Sequence, residues 1–332
     1  MPLNPKKAAA TLLLLLLLPV AVGCSGAAEQ TPEGLTTVDY ASFNGPSGLP
    51  AKFGAQKGFF AEAGLEVNFV EAQDPVGLVS SGDVDIADSD TTSAIVAAGR
   101  SAPIRIVSSM YRTRGPFYLV GTPEVNRVED LRGKKVGIGR RGSGMEVYTR
   151  YILRAHGLEE SDVTLVANGS YQPAYASLES RQVDATIIHE PFVSLAESQG
   201  VGRLLAKGWD YLPTFHTGVE ITNDAFARDD PEVVERFLTA YFRSAVYAKE
   251  HPEEFLAFAA SQLTVPEQVQ QAALTREEPI WDNDPRVDLD AVRDTQEIQR
   301  EFGFQDTVYD PTEIVDTSFL PTPQEIAAGR PG

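Results

Sequence analysis

From Thr36 onward the apolar positions change period repeatedly, from every second residue to every third or fourth, and each change marks a new element. Thr36–Ser42 alternates β-branched and aromatic residues with polar ones and predicts a strand. A helical period runs through Leu49, Phe53, Gln56, Phe60 and Ala63 and stops at Gly64. Glu66–Val70 predicts a strand, Val76–Ser81 a short helix, Val84–Ala87 a short buried strand, Thr91–Arg100 a helix and Ile104–Met110 a further strand. Strands separated by helices of this length imply right-handed crossovers and a parallel sheet.

The scheme then begins again. Lys135–Ile138 predicts a strand, Met145–His156 a helix ending at Gly157, Val163–Val166 a strand, Ala174–Ser180 a helix and Val183–Ile188 a strand. Both halves carry the same small signals, Ala63-Gly64-Leu65 against His156-Gly157-Leu158, and Gly82-Asp83-Val84-Asp85 against Arg181-Gln182-Val183-Asp184. They describe two similar α/β units. After Pro213 the pattern is mainly helical, with Asp230-Pro231-Glu232 supplying a cap, a proline at the first helical position and an acidic first turn for a helix to about Glu250.

Ahead of these units, Lys6-Lys7 precede seven leucines, Leu12–Leu18, and then Pro19-Val20-Ala21-Val22-Gly23-Cys24. A charged start, a short apolar run and small residues before a cut predict a signal peptide over residues 1–23. The apolar run is shorter than the roughly 20 residues that cross a bilayer. Ala21-Val22-Gly23-Cys24 resembles a bacterial lipobox, in which the cysteine is lipidated; Cys24 is then an expected membrane anchor, and 24–35 a flexible tether. The expected location is extracytoplasmic.

Cys24 is the only cysteine, so the fold has no disulfide to rely on. About 300 residues follow it, which favours two lobes over one core. Losing Lys6 and Lys7 with the leader takes the formal net charge from −19 to −21. Such a chain is repelled by phosphate backbones, and nucleic acid is not an expected partner. The charge is uneven: residues 100–154 hold twelve Lys/Arg and four acids, whereas 155–332 hold 32 acids and twelve bases. The contrast suits surface style, interdomain pairing or a positive wall beside an anion site.

Several motifs in register carry a family resemblance. Phe59-Phe60-Ala61-Glu62-Ala63-Gly64-Leu65 is followed by Gly82-Asp83-Val84-Asp85-Ile86 and by Val128-Glu129-Asp130-Leu131-Arg132-Gly133-Lys134-Lys135-Val136-Gly137. Gly142-Ser143-Gly144, Val183-Asp184-Ala185 and Glu190-Pro191-Phe192 complete the series. Over roughly Val38 to Ala260 the chain resembles the nitrate/sulfonate/taurine group of solute-binding proteins of ABC importers, which includes thiamine-pyrimidine binders. The resemblance implies a type II periplasmic-binding-protein fold: two α/β lobes joined by two crossing segments, with ligand trapped between them and no reaction catalysed. The first lobe is then 36–112 with 217–332 and the second 113–216, with hinges near Ser109–Phe117 and Leu212–Gly218. It also implies a permease and ATPase complex as partner and a monomeric receptor.

Ligands of open α/β sheets sit beyond the carboxyl ends of strands, and four loops qualify. Phe43, Asn44 and Ser47 offer an aromatic wall, an amide and a hydroxyl, although Asn44-Gly45-Pro46 is also a plain turn. Asp88, Ser89, Asp90 and Thr91 open a helix with more oxygen-bearing side chains than one cap requires. Gly142, Ser143, Gly144 and Met145 open another; Ser143 with Glu146 fits a capping box, while the glycines leave amides bare for an anion, with Arg140 and Arg141 nearby. His189, Glu190 and Phe192 end a strand. The resemblance implies that Glu190 faces the cleft, and His189 stands where the family commonly has an aromatic residue. Tyr111 in the first crossing segment and Phe215 in the second are further candidates, and Tyr171 is a stacking candidate.

Two ligand classes are open, the anionic or zwitterionic one leading and the N-heterocycle its alternative. The basic segment and the glycine-flanked helix start favour a small anionic or zwitterionic nitrogen or sulfur compound such as a sulfonate, taurine or nitrate. Asp88, Asp90 and Glu190 favour a guest that also carries an amine or ring N–H, such as a thiamine-type pyrimidine or other N-heterocycle. The four histidines are widely spaced and no nucleophile elbow, zinc motif or redox pair is present, so neither an enzyme nor a cofactor or metal is expected. A sensing role beside a membrane kinase uses the same fold and stays open.

Overall fold

The computed structural model describes residues 30–31, 34–43, 46–110 and 114–329. Cys24 and the leader, Asn44 and Tyr111 lie outside the described residues.

Two five-stranded sheets form, one per lobe. The first comprises β1 (Thr36–Phe43), β2 (Leu65–Ala72), β3 (Ile86–Asp90) and β4 (Ile104–Ser109). The second comprises β5 (Tyr118–Gly121), β6 (Lys135–Gly137), β7 (Thr164–Val166), β8 (Ala185–Ile188) and β9 (Arg203–Lys207); β10 (Gly218–Asn223) returns to the first. Their orders are β2-β1-β3-β10-β4 and β7-β6-β8-β5-β9. This is the two-lobed α/β arrangement that the resemblance implies.

Each sheet departs from the parallel expectation at one strand. β10 runs antiparallel between β3 and β4, and β5 runs antiparallel between β8 and β9. Both are the strands by which the chain enters a lobe after crossing from the other, so they arrive from the cleft side and run against their neighbours. The crossing segments meet at an antiparallel bridge between Arg114 and His216. Met110 donates its N–H to the Gly218 carbonyl at 3.0 Å, and Thr91 donates to that of Thr217 at 3.2 Å.

Local chemistry adjusts several predicted boundaries. The helix expected over 49–63 divides into Leu49–Gln56 and Phe59–Glu62, because Gly58 takes a left-handed φ of 85° between them. β3 reaches Asp90, three residues beyond the predicted end, since β10 supplies ladder partners opposite Asp88, Ser89 and Asp90. The region after Pro213, predicted as helical, begins with β10 before its helices start.

The first lobe's core lies on both faces of its sheet. On one face the helix Pro231–Glu250 buries Val234, Phe237, Leu238, Tyr241, Phe242 and Ala245, a stripe at helical spacing, against Val38, Tyr40 and Phe60. On the other, Ile95, Ile106 and Ile221 pack with Val292 from the helix Leu289–Glu301. In the second lobe Leu119, Val136 and Ile187 pack beneath the helix Gly144–Ala155.

Candidate functional site

A cavity of about 390 Å³ opens between the lobes, at the carboxyl ends of β1, β3, β6 and β8. Eight residues expected there line it: Phe43, Ser47, Ser89 and Asp90 from the first lobe, and Ser143, Gly144, Met145 and His189 from the second. Tyr171 lines it too, as do Arg140 and Arg141.

Six expected residues lie elsewhere. Asp88 is fully buried, and its Oδ1 accepts the Phe43 N–H at 3.0 Å, so it orients the first loop from beneath. Thr91 is also buried, with Oγ1 3.1 Å from His216 Nδ1 at the hinge. Gly142 turns the chain at φ 77°, and its N–H donates to Glu146 Oε2 at 2.7 Å. Glu190 is turned away from the cleft into an ion pair with Arg276 at 2.8 Å and accepts from the Ser194 N–H and hydroxyl at 3.0 and 2.8 Å. Phe192 packs on Tyr175 and Phe215 on Tyr148, both inside the second lobe.

The predicted capping box also takes another form. Ser143 Oγ donates to the Arg140 carbonyl at 2.6 Å and caps nothing, while Glu146 reaches back to Gly142. Glu146 is buried and holds Arg150 at 2.6 Å and Arg141 at 3.5 Å. The bare amide of Gly144 is occupied from the opposite lobe, donating to Asp90 Oδ1 at 3.3 Å. Asp90 Oδ2 stands 3.6 Å from Arg140 Nη2, which donates to Ser93 Oγ at 2.8 Å. Arg140 and Arg141 at the mouth thus each contact oxygens of the protein, while both side chains stay about half exposed.

Aromatic rings form much of the remaining wall. His189 stacks on Tyr171, centroids 4.8 Å apart at 29°, and also meets Phe117 at 4.7 Å. His189 Nδ1 lies 2.9 Å from the Pro116 carbonyl, which fixes its proton on that nitrogen in the neutral ring. Phe117 in turn rests on Tyr148 at 4.8 Å, so the wall continues into the core. Tyr171 holds φ 53° and ψ −120°, a conformation costly for any residue with a Cβ and one that collects at ligand walls.

Phe117, Met110, Thr217, Gln73 and Ser170 line the cavity without having been expected there. Three of them sit on or beside the crossing segments, and Gly115-Pro116 directly before Phe117 was the available signal. Among the described residues, no group of three or more His, Cys, Asp or Glu is placed to hold a metal ion.

Known proteins resemble this chain in sequence and in fold. The profile of the family described as NMT1/THI5 like matches residues 49–255, and the chain belongs to that family. A Bacillus subtilis protein provisionally named as aliphatic sulfonates-binding is 25% identical over 282 residues, 82% of this chain and 83% of that protein. A 4-amino-5-hydroxymethyl-2-methylpyrimidine phosphate synthase of Saccharomyces cerevisiae is 27% identical over 228 residues, 62% of this chain and 65% of the synthase. The alkanesulfonate-binding protein SsuA from Xanthomonas axonopodis pv. citri, solved bound to MOPS, superposes with a TM-score of 0.73 at 16% identity, over 85% of this chain and 98% of that one. The fold is that of periplasmic binding proteins.

Proposed function

We propose that this NMT1/THI5-like protein is the extracytoplasmic solute receptor of an ABC importer. It is tethered through a lipidated Cys24, acts as a monomer, and closes its two lobes over a small nitrogen-containing aromatic ring. The observation that carries the ligand class is the wall made by Phe43, Phe117, Tyr171 and His189 around a cavity of about 390 Å³. Stacking on such a wall contributes about 1–3 kcal/mol per ring face. Ser47, Ser89, Thr217 and Gln73 on the same wall supply polar contacts that would orient the ring. Of the two ligand classes open from the sequence, the simple anion is the less favoured, because Asp90 already occupies the Gly144 amide.

Function of the receptor kind needs no chemistry on the guest. Closure about the Arg114–His216 bridge would exclude water, and the ligand would leave unchanged to a permease. The pyrimidine synthase relative makes catalysis the reading to be tested against.

Titration calorimetry with 4-amino-5-hydroxymethyl-2-methylpyrimidine, taurine and ethanesulfonate tests the ligand class. The expected result is micromolar binding of the aminopyrimidine, recovered unchanged by mass spectrometry. Silence toward all three removes both ligand classes, and a converted product makes the protein an enzyme. Intact mass of protein from its own host tests the anchor: a lipid on Cys24 is expected, and an unprocessed leader would rule the tether out. A permease gene adjoining its own favours import, and an adjoining kinase gene favours sensing.

A further inference from the structure

One oxygen of Asp90 is shared by two helix ends. Oδ1 accepts the N–H of Ser93, in the first turn of Thr91–Gly99, at 2.9 Å. It also accepts the N–H of Gly144, the first residue of Gly144–Ala155, at 3.3 Å. The helices belong to different lobes, and their positive ends face one another across the cavity mouth. Oδ2 adds the Arg140 guanidinium at 3.6 Å. A carboxylate of the protein therefore sits where two converging amides, two dipoles and a cation would draw a free anion.

A buried hydroxyl, that of Thr92, stands close to the Gly144 end of this arrangement. The residue is 1% exposed, Oγ1 has no partner among the described residues, and a Cβ built on Gly144 would stand 3.6 Å from it. Ser47, 4% exposed on the same cavity wall, likewise has a hydroxyl with no partner among the described residues. Capping the helix Thr91–Gly99 requires only the bond to Ser93 and does not explain the reach to Gly144.

We infer that Asp90 sets the charge class of the ligand. It fills the oxoanion position between the two helix ends and so reserves the cavity for neutral or cationic aromatic guests. A sulfonate entering the closed cavity would stand against this carboxylate and would have to displace it from both amides. The inference rests on the receptor reading above and adds the residue that sets the charge its guest can carry.

The test is calorimetry of wild type, Asp90→Ser and Asp90→Gly with ethanesulfonate and, separately, with 4-amino-5-hydroxymethyl-2-methylpyrimidine, at one ionic strength. Serine retains a capping oxygen and glycine is tolerated at a cap, so cooperative melting of at least one variant is expected. Wild type should show no measurable ethanesulfonate binding, and the variants should gain at least tenfold. Wild type binding ethanesulfonate within twofold of the variants overturns the inference, as does a folded variant that gains nothing. Loss of cooperative melting in both also overturns it, because a residue that only sets specificity is dispensable for folding. The aminopyrimidine arm separates the two claims: if wild type ignores it while Asp90→Ser still gains ethanesulfonate, the ligand class proposed above fails and the role of Asp90 stands.

Discussion

Arg276 and Glu190 meet at 2.8 Å, Nε to Oε1, and join the lobes away from the crossing segments. Glu190 follows β8 of the second lobe. Arg276 lies on the helix Glu267–Glu277, which seats Leu274 against the first lobe's core and Val269 in the second's. Arg276 also holds Glu197 at 2.5 Å. On the opposite flank the helix Leu289–Glu301 does the same, with Val292 in one core and Ile298 against the other. Two helical straps therefore connect the lobes in addition to the crossing segments.

Removing the cation from this strap leaves a carboxylate that is 2% exposed without its counter-charge. Arg276→Ala is expected to destabilise the protein by about 3 kcal/mol, at the lower end for a broken buried pair because Arg276 is partly solvated. Replacing both partners by leucine should cost less. Urea unfolding of the three proteins measures the difference, and equal losses for the single and double variants would refute it.

Burial pushes the Glu190 carboxyl up to about 7; the Ser194 N–H draws it down, the neighbouring Glu277 raises it and Arg276 lowers it. A raised acid binds protons in the folded state that the unfolded state has released, so its cost to stability grows as pH rises through that value. Between pH 8 and 6.5 wild type should gain about 0.8 kcal/mol relative to Glu190→Gln, by the titration of one such group. Buried His216 behaves oppositely, its pKa lowered to about 4 by desolvation. The unfolded state takes up its proton first, so wild type should lose up to about 3 kcal/mol relative to His216→Gln as pH falls from 6.5 to 4. Paired urea titrations across these windows check both signs.

Tyr171 combines a ring on the cavity wall with φ 53°. Tyr171→Ala is expected to weaken aminopyrimidine binding by about 1–3 kcal/mol, the cost of losing a stacking face. Tyr171→Gly should bind as weakly and yet be more stable than the alanine variant by about 1 kcal/mol, because glycine adopts this backbone without strain. Calorimetry and thermal melting report the two effects separately. Alanine equal in stability to glycine would show that the backbone is unstrained.

Gly54 lets two helices of the first lobe touch. A Cβ there would fall 1.6 Å from Ser244 Oγ and 2.3 Å from its Cβ, on the helix Pro231–Glu250. Gly54→Ala should destabilise by about 1–3 kcal/mol through overpacking, and Ser244→Gly in the same chain should recover part of it. Melting temperatures of the single and double variants decide the point.

Strand and helix alternation was legible because each element must bury one face, and that need writes itself as a period along the chain. The loops at the strand ends were legible for a related reason, since small polar residues must stand where a strand gives way to a helix. β5, β9 and β10 were not foreseen. Their pairing depends on which lobe the chain has just left, a distance of many residues that no local period records. Asp88 and Asp90 look equivalent in sequence. Yet they take opposite roles, because Asp88 lies within β3 and accepts the Phe43 amide, whereas Asp90 ends the strand, caps the next helix and meets the Gly144 amide of the other lobe.

The sequence by itself determined the two α/β units, their order and the loops that could reach a ligand, since these follow from local periodicity and turn chemistry. Only the tertiary structure decided which of those side chains meet the cavity. Glu190 went to Arg276, Phe192 and Phe215 went to the core, and Asp90 crossed to Gly144. The physical reason is that a buried charge or bare amide takes whichever partner packing brings within hydrogen-bond reach, and that partner is set by the meeting of two lobes rather than by neighbours in the chain.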